Sequence, residues 1–179
     1  MITIRDLRAD EIDVRVAQEG DGWLQLLLYK NARVDMDILD ETFTPLGWQR
    51  HHSRDNANCI VSIWDEEKKQ WIDKEDTGIE SNTQKEKGLA SDSFKRACVN
   101  VGIGRELYTS PVICVWETDK NEEPNYCYKE SKDKSKKKLK TRFYVSSIDI
   151  IDKVITGLTI TNNDNKVVFV YKKNKGGKE

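Results

Sequence analysis

Apolar positions recur in two different rhythms along this chain, and the switches between them mark out its elements. Trp23 to Tyr29, WLQLLLY, is an apolar run bounded by Gly20 and Gly22. It is too short for a buried helix and is expected to be a strand. Val34, Ile38, Leu39 and Phe43 then fall at helical spacing, and Pro45 with Gly47 ends that segment. Three strands are expected next: Trp48 to Arg54, Asn58 to Trp64 and Gln70 to Ile79. The charged DEEKK between the second and third forms a hairpin tip, so the three read as an antiparallel meander. Ahead of all these, Ile4 to Gly20 is mostly polar, and a short helix is expected around Ala9 to Ala17.

A longer helix follows the meander. Thr83, with Glu86 three residues on, has the capping-box pattern. Ala90, Phe94, Ala97, Cys98 and Val101 share one stripe at ~100° per residue. Lys85, Asp92, Lys95, Arg96 and Val99 fall on the opposite side, and Gly102 is a natural stop. Val99 among those charges suggests a face that is covered rather than open to water.

Beyond the helix, Val112 to Trp116 is a strand candidate, and KESKDKSKKKLK from Lys129 to Lys140 has the composition of a solvated loop or arm. Arg142 to Ser147 and Ile155 to Thr161 are short strands. The NNDN turn at Asn162 returns Lys166 to Tyr171 as a hairpin, and KKNKGGKE should fray. The expected organisation is a core over 1–116, a lysine-rich loop or arm over 117–141, C-terminal strands over 142–173 completing the same domain, and a disordered tail over 174–179.

Composition adds limits. The 179 residues are 37% hydrophobic and 34% charged, which fits one soluble domain. The net charge is −1, so binding to nucleic acid would require basic residues gathered on one surface. Four widely spaced cysteines without a CxxC, and no leader-like N-terminus, read as reduced thiols in a cytosolic protein. No apolar run approaches the ~18 residues of a membrane span.

Catalytic signatures are missing. There is no GxxxxGK[ST], VGIGREL holds only GxG and follows a helix, and no serine has a GxSxG context. His51 and His52 are adjacent and would point to opposite strand faces; with Cys59 they make no ligand spacing for a metal. Asp73, Glu75, Asp76 and Glu80 could form a metal-dependent nuclease centre. However, Asp73 and Glu75 share a strand face while Asp76 lies opposite, so a solvated charged strand is the simpler reading. No cofactor and no enzymatic step is expected.

Binding is left. Lys95 and Arg96 are either solvated helix residues or part of a cationic row with Lys85 one repeat earlier and Arg105 just beyond the helix. Cations spaced by roughly 5–10 Å can track a nucleic-acid backbone. Ser91 and Ser93 could donate to phosphates beside them. The Lys129–Lys140 segment is either a solubilising loop or a second basic element. Trp64 and Trp71 flank the hairpin and are expected to pack across it.

At these residues the chain resembles the single-strand annealing proteins of the Rad-fifty-two superfamily, especially the Sak-type recombinases of bacteriophages. The matching pattern is EIDVRV with Arg15, then PLGWQ with Gly47 and Trp48, then the cysteine-bearing strand and WIDKEDTGIES, then KGLASDSFKRA and GIGRELY. It spans roughly Ile4 to Pro111, and its last two blocks are the specific ones. Val99 stands where eukaryotic members tend to carry an arginine, and the Lys129–Lys140 segment lies outside the pattern.

The resemblance implies an α+β fold: a bent antiparallel sheet with a β-β-β-α core and a central helix packed across it. It implies ATP-independent binding and annealing of single-stranded DNA in recombination and repair, with subunits assembled into rings or helical filaments. Lys95, Arg96 and Arg15 map onto the inner DNA groove, with Ser91 lining it. Lys68, Lys69 and Lys85 are candidates by position for an outer site. Implied partners are single-stranded DNA, further copies of the chain, and a phage exonuclease or host single-strand-binding protein, in a bacterial cytoplasm and away from membranes. Two alternatives stand: a double-stranded-RNA-binding-type module, which shares a three-strand meander followed by a helix, and the nuclease built on Asp73, Asp76 and Glu80.

Overall fold

Across residues 2–79, 85–130 and 137–173, the residues described by this computed structural model, the chain is a mixed α/β fold made mostly of antiparallel strand. In chain order its elements are β1 (Asp13–Gly20), β2 (Trp23–Tyr29), α1 (Ala32–Phe43), β3 (Trp48–Ser53), β4 (Asn58–Asp65), β5 (Gln70–Thr77), α2 (Lys85–Val101), β6 (Ile113–Trp116), β7 (Tyr128–Glu130), β8 (Lys137–Leu139), β9 (Phe143–Ile151), β10 (Val154–Asn162) and β11 (Val167–Lys172). They divide into two compact units, 1–7 with 30–105, and 8–29 with 106–179.

In the first unit, Asn31 starts α1 by accepting the amides of Arg33 at 2.9 Å and Val34 at 3.3 Å. The helix buries Val34, Ile38 and Leu39. Its exit needs Gly47, because a Cβ there would run into the Phe43 carbonyl. Trp48 then fixes the start of β3, donating from Nε1 to Asp40 at 2.7 Å. β3, β4 and β5 form the expected antiparallel meander, with Trp48 opposite Ile63 and Ile63 opposite Ile72. Trp64 and Trp71 meet edge to face across the hairpin, ring centroids 5.4 Å apart.

α2 packs on β4 and β5. Phe94, Ala97 and Cys98 are buried on the helix, and Cys59 and Val61 on the sheet beneath, as helical periodicity predicts. Gly78 makes the approach possible: a Cβ there would lie 2.6 Å from the Ser93 amide nitrogen. The expected cap at Thr83 lies outside the described residues, as does the Glu86 side chain.

In the second unit, six strands form one antiparallel sheet in the order β11-β10-β9-β1-β2-β6. The helix expected around Ala9 to Ala17 is not formed. Ala9–Glu11 is a single 3-10 turn, and from Asp13 the chain is strand β1. Pairing with β2, Val14 opposite Leu28 and Val16 opposite Leu26, outweighs the helix propensity of the Ala, Gln and Glu that follow. Register shifts in β1 at Val16/Gln18 and in β10 at Ile155/Gly157 and Thr159/Ile160 bend the sheet. Leu24, Leu26, Val115, Ile155, Leu158 and Ile160 are among its buried residues. Asn162 makes the NNDN turn by accepting the amides of Asp164 at 2.9 Å and Lys166 at 3.0 Å. The lysine-rich segment is not all loop: Tyr128 pairs with Leu139 and Glu130 with Lys137, while 131–136 lie outside the described residues.

Candidate nucleic-acid interface

The KGLASDSFKRA segment becomes α2, and its side chains divide by the surface they meet. Phe94 is fully buried, stacked at 6.2 Å on Trp48 and covered by the Arg50 guanidinium 4.7 Å from its centroid. Asp92 accepts the Ile79 amide at 2.9 Å, so a residue counted on the polar face ties the helix to the end of the meander. Ser93 is buried, and its hydroxyl donates to the Asn56 carbonyl at 3.0 Å. It therefore serves the helix–sheet contact and cannot offer itself to a phosphate. Ser91, by contrast, is half-buried, as are Lys95 and Arg96.

Arg96 does not point away from the sheet. Its Nε lies 3.4 Å from Oδ1 of Asp76 on β5, with the arginine side chain 41% exposed. The same aspartate accepts from Asn100 Nδ2 at 3.2 Å and from the Thr77 amide at 2.7 Å. A partly exposed pair of this kind contributes about 0.2–1 kcal/mol. The guanidinium is thus held at the helix–sheet margin and remains accessible to a stronger anion. Arg105 is exposed but engaged: it donates to the carbonyls of Val99 at 2.9 Å and Asn100 at 3.1 Å, capping the C-terminus of α2.

The GIGRELY block that follows also has a structural account. Gly102 has φ +125° and Gly104 φ +71°, both in the region that favours glycine. At Gly104 a Cβ would collide with the side chain of Lys30, which is buried in an ion pair with Asp35 of α1. Burial raises the Asp35 carboxyl to about 6 despite the lysine beside it. Burial also drives the Cys98 thiol up and that of Cys59 to about 11, so both are inert apolar fillers.

The other candidates are dispersed. Arg15 is exposed on β1 of the second unit, opposite Leu27, with its guanidinium 5.8 Å from the Tyr29 ring centroid. Lys68 and Lys69 occupy the β4–β5 turn, each paired three residues back, to Asp65 at 3.1 Å and to Glu66 at 2.5 Å. The Lys85 side chain lies outside the described residues. Arg50 and Lys30 escaped the sequence reading. Arg50 was signalled by the two-residue strand period, which puts it on one face with Trp48 and His52; Lys30 had no local signal. Asp73 and Asp76 project from opposite faces of β5, Asp76 is engaged with Arg96, and Glu80 lies outside the described residues.

Among the described residues no group of His, Cys, Asp and Glu has a metal-holding arrangement, and no helix is long and apolar enough to cross a membrane. No family model, no curated protein and no solved structure matches the chain.

Proposed function

We propose that this chain is an ATP-independent single-stranded DNA-binding and annealing protein of recombination and repair, of the phage Sak type within the Rad-fifty-two superfamily, working on a β-β-β-α core. The observation that carries the reading is α2. The KGLASDSFKRA segment is a helix laid on a three-stranded antiparallel meander, with Lys95 and Arg96 at its half-exposed margin.

The mechanism follows from that chemistry. Phosphates displace Asp76 from Arg96 and engage Lys95, with Ser91 alongside. Counterions are released, so affinity falls steeply with salt. Contacts to the backbone leave the bases unread by the protein, and Watson–Crick pairing selects the complement. Annealing needs no bond to be made or broken, hence no ATP and no metal. Several copies side by side would gather one cationic groove from a chain whose net charge is only −1. In this reading the protein works as a ring or filament in a bacterial host, beside a phage exonuclease or host single-strand-binding protein.

The test is annealing of two complementary labelled oligonucleotides without ATP or magnesium across a salt series. Acceleration that fades at high salt is the expected result. No acceleration, with duplex bound more tightly than single strands, overturns the reading in favour of a duplex-binding module.

A further inference from the structure

Lys30 and Asp35 are both buried, the lysine just before α1 and the aspartate in its first turn. Stability alone is a poor reason for such a pair, because well-packed apolar residues in place of a buried ion pair are often neutral or stabilising. The contacts around it point to another task. Lys30 Nζ also approaches the main-chain carbonyl of Lys95 on α2, at 3.5 Å. The Asp35 carboxylate is within electrostatic reach of the Lys95 ammonium, and its Oδ2 is buried without a hydrogen-bond partner. Gly104 leaves the space that the lysine stem fills. Three segments of the first unit therefore meet beneath Lys95: the start of α1, the middle of α2 and the loop that follows it.

We propose that the Lys30–Asp35 pair is a positioning element for the cationic margin of α2, tying the main chain at Lys95 to α1 and cancelling the carboxylate charge beneath the Lys95 ammonium. Lys30 touches no phosphate in this arrangement; it acts through Lys95. Without Lys30, the tie to the Lys95 carbonyl is lost and burial pushes the Asp35 carboxyl further towards its neutral form. Without both, the pull on the Lys95 carbonyl is lost and α2 can shift on its apolar face. The proposal rests on the annealing reading of α2.

The test is the double variant Lys30→Met/Asp35→Leu, which removes both charges and keeps apolar volume. Thermal unfolding, single-strand affinity and the salt dependence of affinity are measured on it and on the wild type. The expected result is a cooperative melt within a few degrees of wild type, affinity lower by about 5- to 10-fold, and a salt slope shallower by about 0.7, the loss of one phosphate contact. A purely structural pair would move the melt and leave the slope alone. If the double variant does not fold, Lys30→Met alone is assayed at pH 5. There Asp35, faced by Lys95 and Cys98 of α2, is protonated and leaves no buried charge behind; the same loss of affinity and slope relative to wild type at pH 5 is expected. Wild-type protein that fails to bind single strands overturns the annealing reading and this proposal together. Wild-type binding with unchanged affinity and slope in a folded variant overturns the positioning role alone.

Discussion

Replacing Asp76 by asparagine should tighten single-strand binding. In the free protein Asp76 is the anion that Arg96 holds, 3.4 Å away, with the two side chains 41% and 28% exposed. Unit charges at this separation attract by about 1 kcal/mol in water, and exposed pairs measure about 0.2–1 kcal/mol. A phosphate must displace that pair, so neutralising Asp76 should raise affinity by about 1.5- to 5-fold at low salt. The amide oxygen can keep the Thr77 bond made at Oδ1, while the Asn100 bond made at Oδ2 is lost, so stability should fall by about 0.5–1.5 kcal/mol. Fluorescence anisotropy of a labelled oligonucleotide, titrated at several salt concentrations, reads the effect. Arg96→Ala should weaken binding and flatten the salt slope by about 0.7. In that background Asp76→Asn should gain less, because the guanidinium it releases is gone. Weaker or unchanged binding by Asp76→Asn, or an undiminished gain without Arg96, would refute the idea that phosphate takes over the aspartate's place.

Other consequences concern the scaffold of the helix. Phe94→Ala empties a fully buried site between Trp48 and Arg50 and should cost about 3–5 kcal/mol in urea unfolding; a loss below 1 kcal/mol would mean that the ring does not key α2 to the sheet. Gly104→Ala combines a φ of +71° with a collision against Lys30, and calorimetry should show a loss of about 1–3 kcal/mol. Asp35 gives a pH signature. Its carboxyl is raised from 3.8 to about 6, so its contribution to stability is fully present below 3.8 and is lost as pH rises through 6. Relative to Asp35→Asn, the wild type should therefore gain about 2 kcal/mol between pH 7 and pH 4, and a flat difference would show that burial does not shift the group.

Much of the fold was legible because the apolar periods are clean. The strand at Trp23, the helix at Val34, the meander and the α2 stripe all appear where spacing places them. The failure at Ala9 to Ala17 is instructive. The DVRV at Asp13 already alternates at a period of two, but the Ala, Gln and Glu beyond it favour helix, and only the partner strand β2 decides the matter. The joining of β1 to β9, through Asp13 and Tyr144, had no local signal at all. Pairing across more than a hundred residues depends on what each edge meets after the chain has folded. The ends of the lysine-rich segment failed for a related reason: Lys137–Leu139 looks solvated by composition, yet its backbone completes a ladder with Tyr128–Glu130.

At the candidate site the sequence ranks cations alike, whereas the structure separates them by what each already holds. Arg105 is bound to two helix carbonyls, Arg50 lies over a ring, and Lys30 is buried against a carboxylate. Arg96 shares a half-exposed aspartate that a phosphate can replace. Among the described residues, no hydrogen bond or ion pair engages the Lys95 ammonium. A ligand anion gains most from cations whose existing partners are weak, because the gain is the new attraction less the old one. By that measure the Lys95–Arg96 doublet outranks Arg105 and Arg50, although all four carry the same charge. On the proposed reading the same measure gives Asp76 a part: with β5 and α2 packed together, one of the carboxylates weighed for a nuclease centre is the anion that a phosphate would have to displace from Arg96.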